Sequence, residues 1–233
     1  MRFSACPILA VAAVALAAWG GEAEAEQPVV VELFTSQGCA SCPPADALMA
    51  ELAKKDHVLP LALHVDYWDY IGWPDPFADP AFTRRQKAYA RAAGEKMIYT
   101  PQMIVGGSDR VVGSRGMQLA ELIEAHRDGG DPVDVEIRRD GGEVAVTATG
   151  TTAPGEELLI QLVTFTPHKR VEIHGGENAG AVMDYVNIVR EWRLLDRWDG
   201  AGSWTGAVAV DGPGAIVVQR AGPGAVVGAA RID

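Results

Sequence analysis

Cys39 and Cys42 stand two residues apart in Gly38-Cys39-Ala40-Ser41-Cys42-Pro43-Pro44, between a strand-like run and a helix-like run. A thiol at the start of a helix feels the partial positive charge of the N-terminus, which favours thiolate over thiol and makes a nucleophile at neutral pH. The pattern points to thiol–disulfide exchange, with Cys39 attacking and Cys42 resolving the mixed disulfide. A structural disulfide and half of a zinc site are the plainer readings. Zinc would call for a second CxxC or for paired histidines, and neither is present. Haem attachment requires His directly after the second cysteine, where Pro43 stands.

The elements that must position this pair are legible on either side. Val29 to Thr35 is β-branched and apolar, as in a buried strand. From Ala45 to Lys55, Leu48, Met49, Leu52 and Ala53 recur at helical spacing, with Asp46 near the start and Lys54 and Lys55 near the end. Pro43 and Pro44 set the first regular turn at or just after Cys42, which leaves Cys39 outside the helix and exposed. A second strand is expected over Val58–Val65, then a loop rich in aromatics and prolines from Asp66 to Phe77. Asp66, Asp69, Tyr67, Trp68 and Trp73 either line a substrate groove there or pin the loop with their own rings. A helix over Pro80–Ala93, a strand opening at Thr100-Pro101, a return over Arg110–Gly113 and a helix over Met117–Arg127 complete the first half.

Asp128-Gly129-Gly130-Asp131-Pro132 ends that helix and reads as a boundary, giving domains at 26–131 and 132–233. Beyond it about eight short strands are expected, beginning with a hairpin across Asp140-Gly141-Gly142. In outline this is a β-sandwich. Tyr185 to Leu195 reads equally as strand or short helix.

The order strand, CxxC helix, strand, helix, Thr-Pro strand, hairpin strand, helix resembles the thioredoxin fold over the first half. The expected fold class is therefore α/β, a thioredoxin-like domain followed by an all-β sandwich-like domain. The resemblance implies that Thr100 and Pro101 form a cis-proline loop beside the disulfide. It also implies that Glu32, on the strand feeding the site, is the buried acid relaying protons to Cys42; a salt-bridged strand residue is the other reading of Glu32. Thioredoxins carry Trp before the first cysteine and Gly-Pro between the two; here Gly38 precedes and Ala40-Ser41 intervene, so the redox potential does not carry over. Three phrases, Glu32 to Asp46, His64-Val65-Asp66-Tyr67-Trp68-Asp69-Tyr70 and Gly176-Glu177-Asn178-Ala179-Gly180, resemble a secreted bacterial family, domain of unknown function 1223. That resemblance spans nearly the whole chain after the leader and implies a thioredoxin-like fold in an extracytoplasmic setting.

Met1-Arg2, the apolar run from Cys6 to Trp19 and Ala23-Glu24-Ala25 have the form of a secretory signal peptide over residues 1–25, so a periplasmic or secreted protein without a membrane anchor is expected. Its removal takes one of the three cysteines and leaves only the pair. A chain with 48% hydrophobic residues and one CxxC holds itself by core burial, which frees the pair for chemistry. The formal net charge of −11 repels phosphate backbones and argues against nucleic acid as a partner. Gly175 to Gly180 lacks the lysine and hydroxyl of a phosphate loop, and neither GxSxG nor HExxH occurs. Among five histidines none pairs at ligand spacing. The sharper metal reading joins His64 to Cys39 and Cys42 around Cu(I), with Met97 and Met103 as further thioether candidates.

The leading expectation is an exported thiol–disulfide oxidoreductase that needs no cofactor and acts on protein thiols or disulfides, with Cys39, Cys42, Glu32, Thr100 and Pro101 as site residues. Copper binding or metallocofactor delivery, and a non-catalytic adaptor with a bracing disulfide, are the alternatives.

Overall fold

The strand leading into the CxxC is buried at all seven positions. Both its faces are covered, so it carries no alternation of apolar and polar residues. The computed structural model describes residues 27–233 apart from 151 and 154, and the leader expected over 1–25 lies outside the described residues. In chain order the elements are β1 (Val29–Thr35), α1 (Pro43–Leu52), β2 (Val58–His64), a 3-10 turn (Asp69–Ile71), α2 (Pro80–Ala92), β3 (Gln102–Val105), β4 (Asp109–Val112) and α3 (Gly116–Gly129). The second half adds β5 (Val133–Asp140), β6 (Glu143–Gly150), β7 (Leu158–Glu172), β8 (Val182–Trp198), β9 (Ser203–Ala209), β10 (Gly214–Arg220) and β11 (Val226–Ile232).

β1 pairs parallel with β2 and antiparallel with β3, and β3 pairs antiparallel with β4. The two faces of β1 look at different helices, as a period of two requires. Val29, Val31 and Leu33 pack with Ala45, Met49 and Leu52 of α1 and with Leu119 and Ile123 of α3. Val30 and Phe34 pack with Phe82 and Tyr89 of α2.

The second half is not a sandwich standing by itself. β7, β8, β10 and β11 extend the first sheet into eight strands in the order β11-β10-β7-β8-β2-β1-β3-β4, while β5, β6 and β9 form a separate three-stranded sheet. The small sheet packs Val133, Val135, Val144, Val146 and Ala148 against Leu158, Ile160, Ile216, Val218 and Val227 of the large one. Two-layer packing is thus present, but one layer is the continuation of the sheet that carries the CxxC. The seam is the parallel pairing of β2 with β8 at Ala62 and Ile188. Beside it Asn187, at φ 45°, donates its side-chain amide to Pro60 O at 2.9 Å.

Tyr185–Leu195 is strand, within β8. β7 runs unbroken over 15 residues, longer than the short strands expected there. The hairpin at 140–143 forms, with Asp140 opposite Glu143.

Candidate active site

Cys39 and Cys42 are joined by a disulfide. Cys42 is the N-cap of α1, and its carbonyl accepts the amides of Ala45 at 2.8 Å and Asp46 at 3.1 Å. Pro43 and Pro44 fill the first two helical positions, where no amide is needed for the helix. Lys54 and Lys55 fall beyond the helix end at Leu52.

Thr100 and Pro101 lie against this turn. Their peptide bond is cis. Ser41 Oγ is 3.5 Å from both Thr100 O and Cys39 Sγ. Pro101 O accepts the amide of Gly113 at 3.0 Å. A Cβ at Gly113 would stand 2.8 Å from Pro101 Cβ and 3.0 Å from Ala45 Cβ, so only glycine lets this strand end close over the proline and the first turn of α1. Trp68 donates from Nε1 to Thr100 Oγ1 at 2.8 Å, and Trp73 from Nε1 to Gln37 Oε1 at 2.8 Å. The aromatic loop therefore brackets the CxxC turn through its ring N–H groups.

Glu32 faces α2 and not the helix that starts after Cys42. It lies on the Val30/Phe34 face of β1, across the sheet from α1, and the Arg85 guanidinium of α2 grips it from Nε at 2.6 Å and Nη2 at 2.8 Å. The Tyr89 hydroxyl donates to the same carboxylate at 2.5 Å. Gln219 of β10 donates to Tyr89 Oη at 2.8 Å, and Arg85 stacks on the Trp192 ring at 3.7 Å from its centroid. The ion-paired reading is correct, and the proton-relay role expected for Glu32 is withdrawn.

The acid on the disulfide side is Asp46. It follows Cys42 by four residues on α1, a spacing that puts both side chains on one helix face. Asp46 is 3% exposed, and the Thr35 hydroxyl donates to its Oδ1 at 2.9 Å. Burial pushes its carboxyl up to about 7, against the opposing influences of His64 and Thr35. Asp75 behaves in the opposite way. Burial raises it, but His64 and the amides of Gln37 and Phe77 outweigh burial and hold it below the usual carboxylate range. Its Oδ2 accepts from His64 Nδ1 at 2.7 Å and from Gln37 N at 2.8 Å, and its Oδ1 from Phe77 N at 2.9 Å. Two buried acids with environments that separate their protonation are a recurring mark of acid–base sites.

His64 is fully buried between Phe77 and Tyr185, with ring centroids at 5.3 and 5.0 Å. Its Nδ1 faces Asp75 Oδ2, and its Nε2 has no hydrogen-bond partner among the described residues. Among the described residues no group of three or more His, Cys, Asp or Glu is arranged to hold a metal ion. Cys39, Cys42 and His64, the alternative copper ligands, do not form such a group with the cysteines joined in the disulfide. Met103 packs in the core and Met97 is exposed on the surface.

Cys39 is not exposed. Both cysteines have 0% accessibility, while Ala40 and Ser41 between them face solvent. The loop of residues 173–181 between β7 and β8 is bonded to the backbone of this turn. Asn178 donates its amide to Gln37 O at 2.9 Å and to Cys39 O at 3.0 Å. Glu177 Oε2 accepts Ala40 N at 3.4 Å. Asp46, Asp75 and Asn178 were missed as site residues. The spacing of Asp46 from Cys42 was a usable signal; the long-range reach of Asp75 and Asn178 to residue 37 was not.

The family model described as protein of unknown function (DUF1223) matches residues 30–220. The chain belongs to this family. The crystal structure of protein AGR_C_4864 from Agrobacterium tumefaciens is 34% identical, with a TM-score of 0.77 over 88% of this chain and 93% of that one. HBP35 of Porphyromonas gingivalis, at 17% identity and a TM-score of 0.59 over 89% of this chain and 75% of that one, shares the fold alone. No curated protein matches this DUF1223 chain. Among its described residues no helix is long and apolar enough to cross a membrane.

Proposed function

We propose that the protein is an exported thiol–disulfide oxidoreductase whose first half has a thioredoxin-like fold and whose substrates are protein thiols or disulfides. The observation that carries this reading is the Cys39–Cys42 disulfide at the N-terminus of α1, with a buried carboxyl of pKa about 7 one helical turn further on. The strand pairing supports the fold assignment: β2, β1, β3 and β4 in that order, α1 and α3 on one face and α2 on the other. The leader pattern supports export.

In the reduced protein the Cys39 thiolate attacks a client disulfide. A Cys39–client bond forms and the client's other sulfur leaves as thiolate. Cys42 then gives its proton to Asp46 and attacks Cys39 Sγ, closing the intramolecular disulfide and releasing the client's second sulfur. The client gains two electrons and the cysteine pair loses two; run backwards, the sequence oxidises a client dithiol. The helix N-terminus stabilises the thiolate, and Thr100 and Pro101 flank the approaching sulfur.

The test is exchange by the purified full chain with a disulfide-containing peptide. Cys42→Ser is expected to accumulate a peptide mixed disulfide through Cys39, and Cys39→Ser to abolish exchange. Full exchange in Cys39→Ser overturns the nucleophile assignment. The complete burial of both cysteines favours a second reading, an adaptor whose disulfide only braces the turn. That reading predicts no exchange and a reduction potential below about −300 mV, measured in graded thiol buffers.

A further inference from the structure

We infer that the loop of residues 173–181 is a gate over Cys39, latched by Asn178, so that the oxidised pair opens to attack only when the loop lifts. This deepens the exchange reading by giving the second half a part in the site, as the element that decides which reactants reach the disulfide.

The loop is firm at its stem and lightly held at its tip. At the stem Ile173 N donates to Ala181 O at 2.9 Å and Gly180 N to Ile173 O at 2.7 Å, closing a short backbone-bonded neck at the end of the β7–β8 ribbon. The near side sits on the aromatic loop by close approach. A Cβ at Gly175 would stand 3.0 Å from Gly72 O, and one at Gly176, where φ is +69°, would stand 3.2 Å from Trp73 Cβ. At the tip, attachment to the CxxC turn rests on the two amide hydrogen bonds of Asn178 and the long contact from Ala40 N to Glu177. These are polar contacts at the edge of solvent, and water can replace each of them. An incoming thiolate must reach a disulfide sulfur directly, yet both cysteines are fully covered while their neighbours Ala40 and Ser41 are not. Lifting the tip releases the carbonyls of Gln37 and Cys39, the points at which a bound client segment competes with Asn178.

The experiment measures reduction of the oxidised full chain by excess tris(2-carboxyethyl)phosphine, with free thiols trapped at timed intervals. The phosphine transfers two electrons to the disulfide and becomes phosphine oxide with oxygen from water, so the reaction needs no client. Asn178→Ala is expected to be reduced about thirtyfold faster than wild type, the factor that follows from losing two hydrogen bonds of about 1 kcal/mol each. Asn178→Asp keeps the shape but loses both donors, and is expected to be accelerated at least as much. Wild-type rates in the folded variants overturn the gate, and if one variant fails to fold the other decides. Accelerated phosphine reduction without exchange on any peptide disulfide refutes the oxidoreductase reading and leaves the gate standing; exchange with unaltered phosphine rates refutes the gate alone.

Discussion

Asp46→Asn should make the protein more stable at pH 8 and weaken the pH dependence of its stability. The Asp46 carboxyl has a pKa of 3.8 in an unfolded chain and about 7 in the fold, where burial raises it. A group raised in this way leaves stability intact below its unfolded pKa and erodes it as pH climbs towards the folded value. Above pH 7 the full cost is about 4 kcal/mol, and between pH 5 and pH 8 it grows by roughly 2.5 kcal/mol. Asparagine is nearly isosteric, its side-chain oxygen still accepts from Thr35, and it does not ionise. Asp75 has the opposite sign, held low by His64 and two amides against burial, so its contribution is present above its unfolded pKa and lost on acidification. Asp75 is coupled to Asp46 through their mutual repulsion, so its contribution cancels in the difference only in part. The assay is urea unfolding of the disulfide-intact proteins at pH 5, 6, 7 and 8. A widening advantage for Asp46→Asn with pH is expected, together with slower resolution of mixed disulfides near neutrality. Parallel pH profiles for the two proteins would refute both the raised carboxyl and its use as the acceptor of the Cys42 proton.

Two further substitutions separate structure from chemistry. Glu32→Gln leaves the largely covered Arg85 without its counter-charge and is expected to destabilise the fold by about 2–4 kcal/mol in denaturant titration. The pH profile of Cys42 alkylation should stay unchanged, and a moved profile would restore Glu32 as the relay. Gly113→Ala places a methyl 2.8 Å from Pro101 Cβ and 3.0 Å from Ala45 Cβ. A loss of about 1–3 kcal/mol is expected, read as a lowered melting temperature, with exchange slowed because Pro101 and α1 are pushed apart; an unshifted melt would mean that the contact is slack.

Local chemistry made much of the first half readable. Apolar runs gave β1 and β2 and the paired prolines gave the start of α1; the place of Thr100-Pro101 beside the disulfide came from the resemblance to thioredoxins. Glu32 was misassigned because its distance in sequence from Cys39 says nothing about which side of the sheet it faces. That follows from the parity of the strand. Thr35 lies three positions further on, on the opposite face, and it is Thr35 that meets Asp46. With α1 and α2 assigned to opposite faces, an even-numbered acid on β1 belongs with Arg85 and an odd-numbered polar residue with the CxxC helix.

The joining of the two halves was harder to see, because a sheet is extended by backbone hydrogen bonds, which leave little trace in side-chain pattern. Alternation in β5 and β6 suits the small sheet, covered on one face, while the unbroken apolar run Ala215–Val218 in β10 is the mark of a strand covered on both. That contrast marks β10 but not β8, whose exposed positions outnumber its buried ones although it lies inside the large sheet. β8 enters the same sheet beside β2, and the loop that precedes it carries Asn178 to residues about 140 positions earlier in the chain. A β-domain on a free linker would have no fixed route to Cys39; one built into the sheet keeps the stem of its loop beside the site while the tip opens and closes.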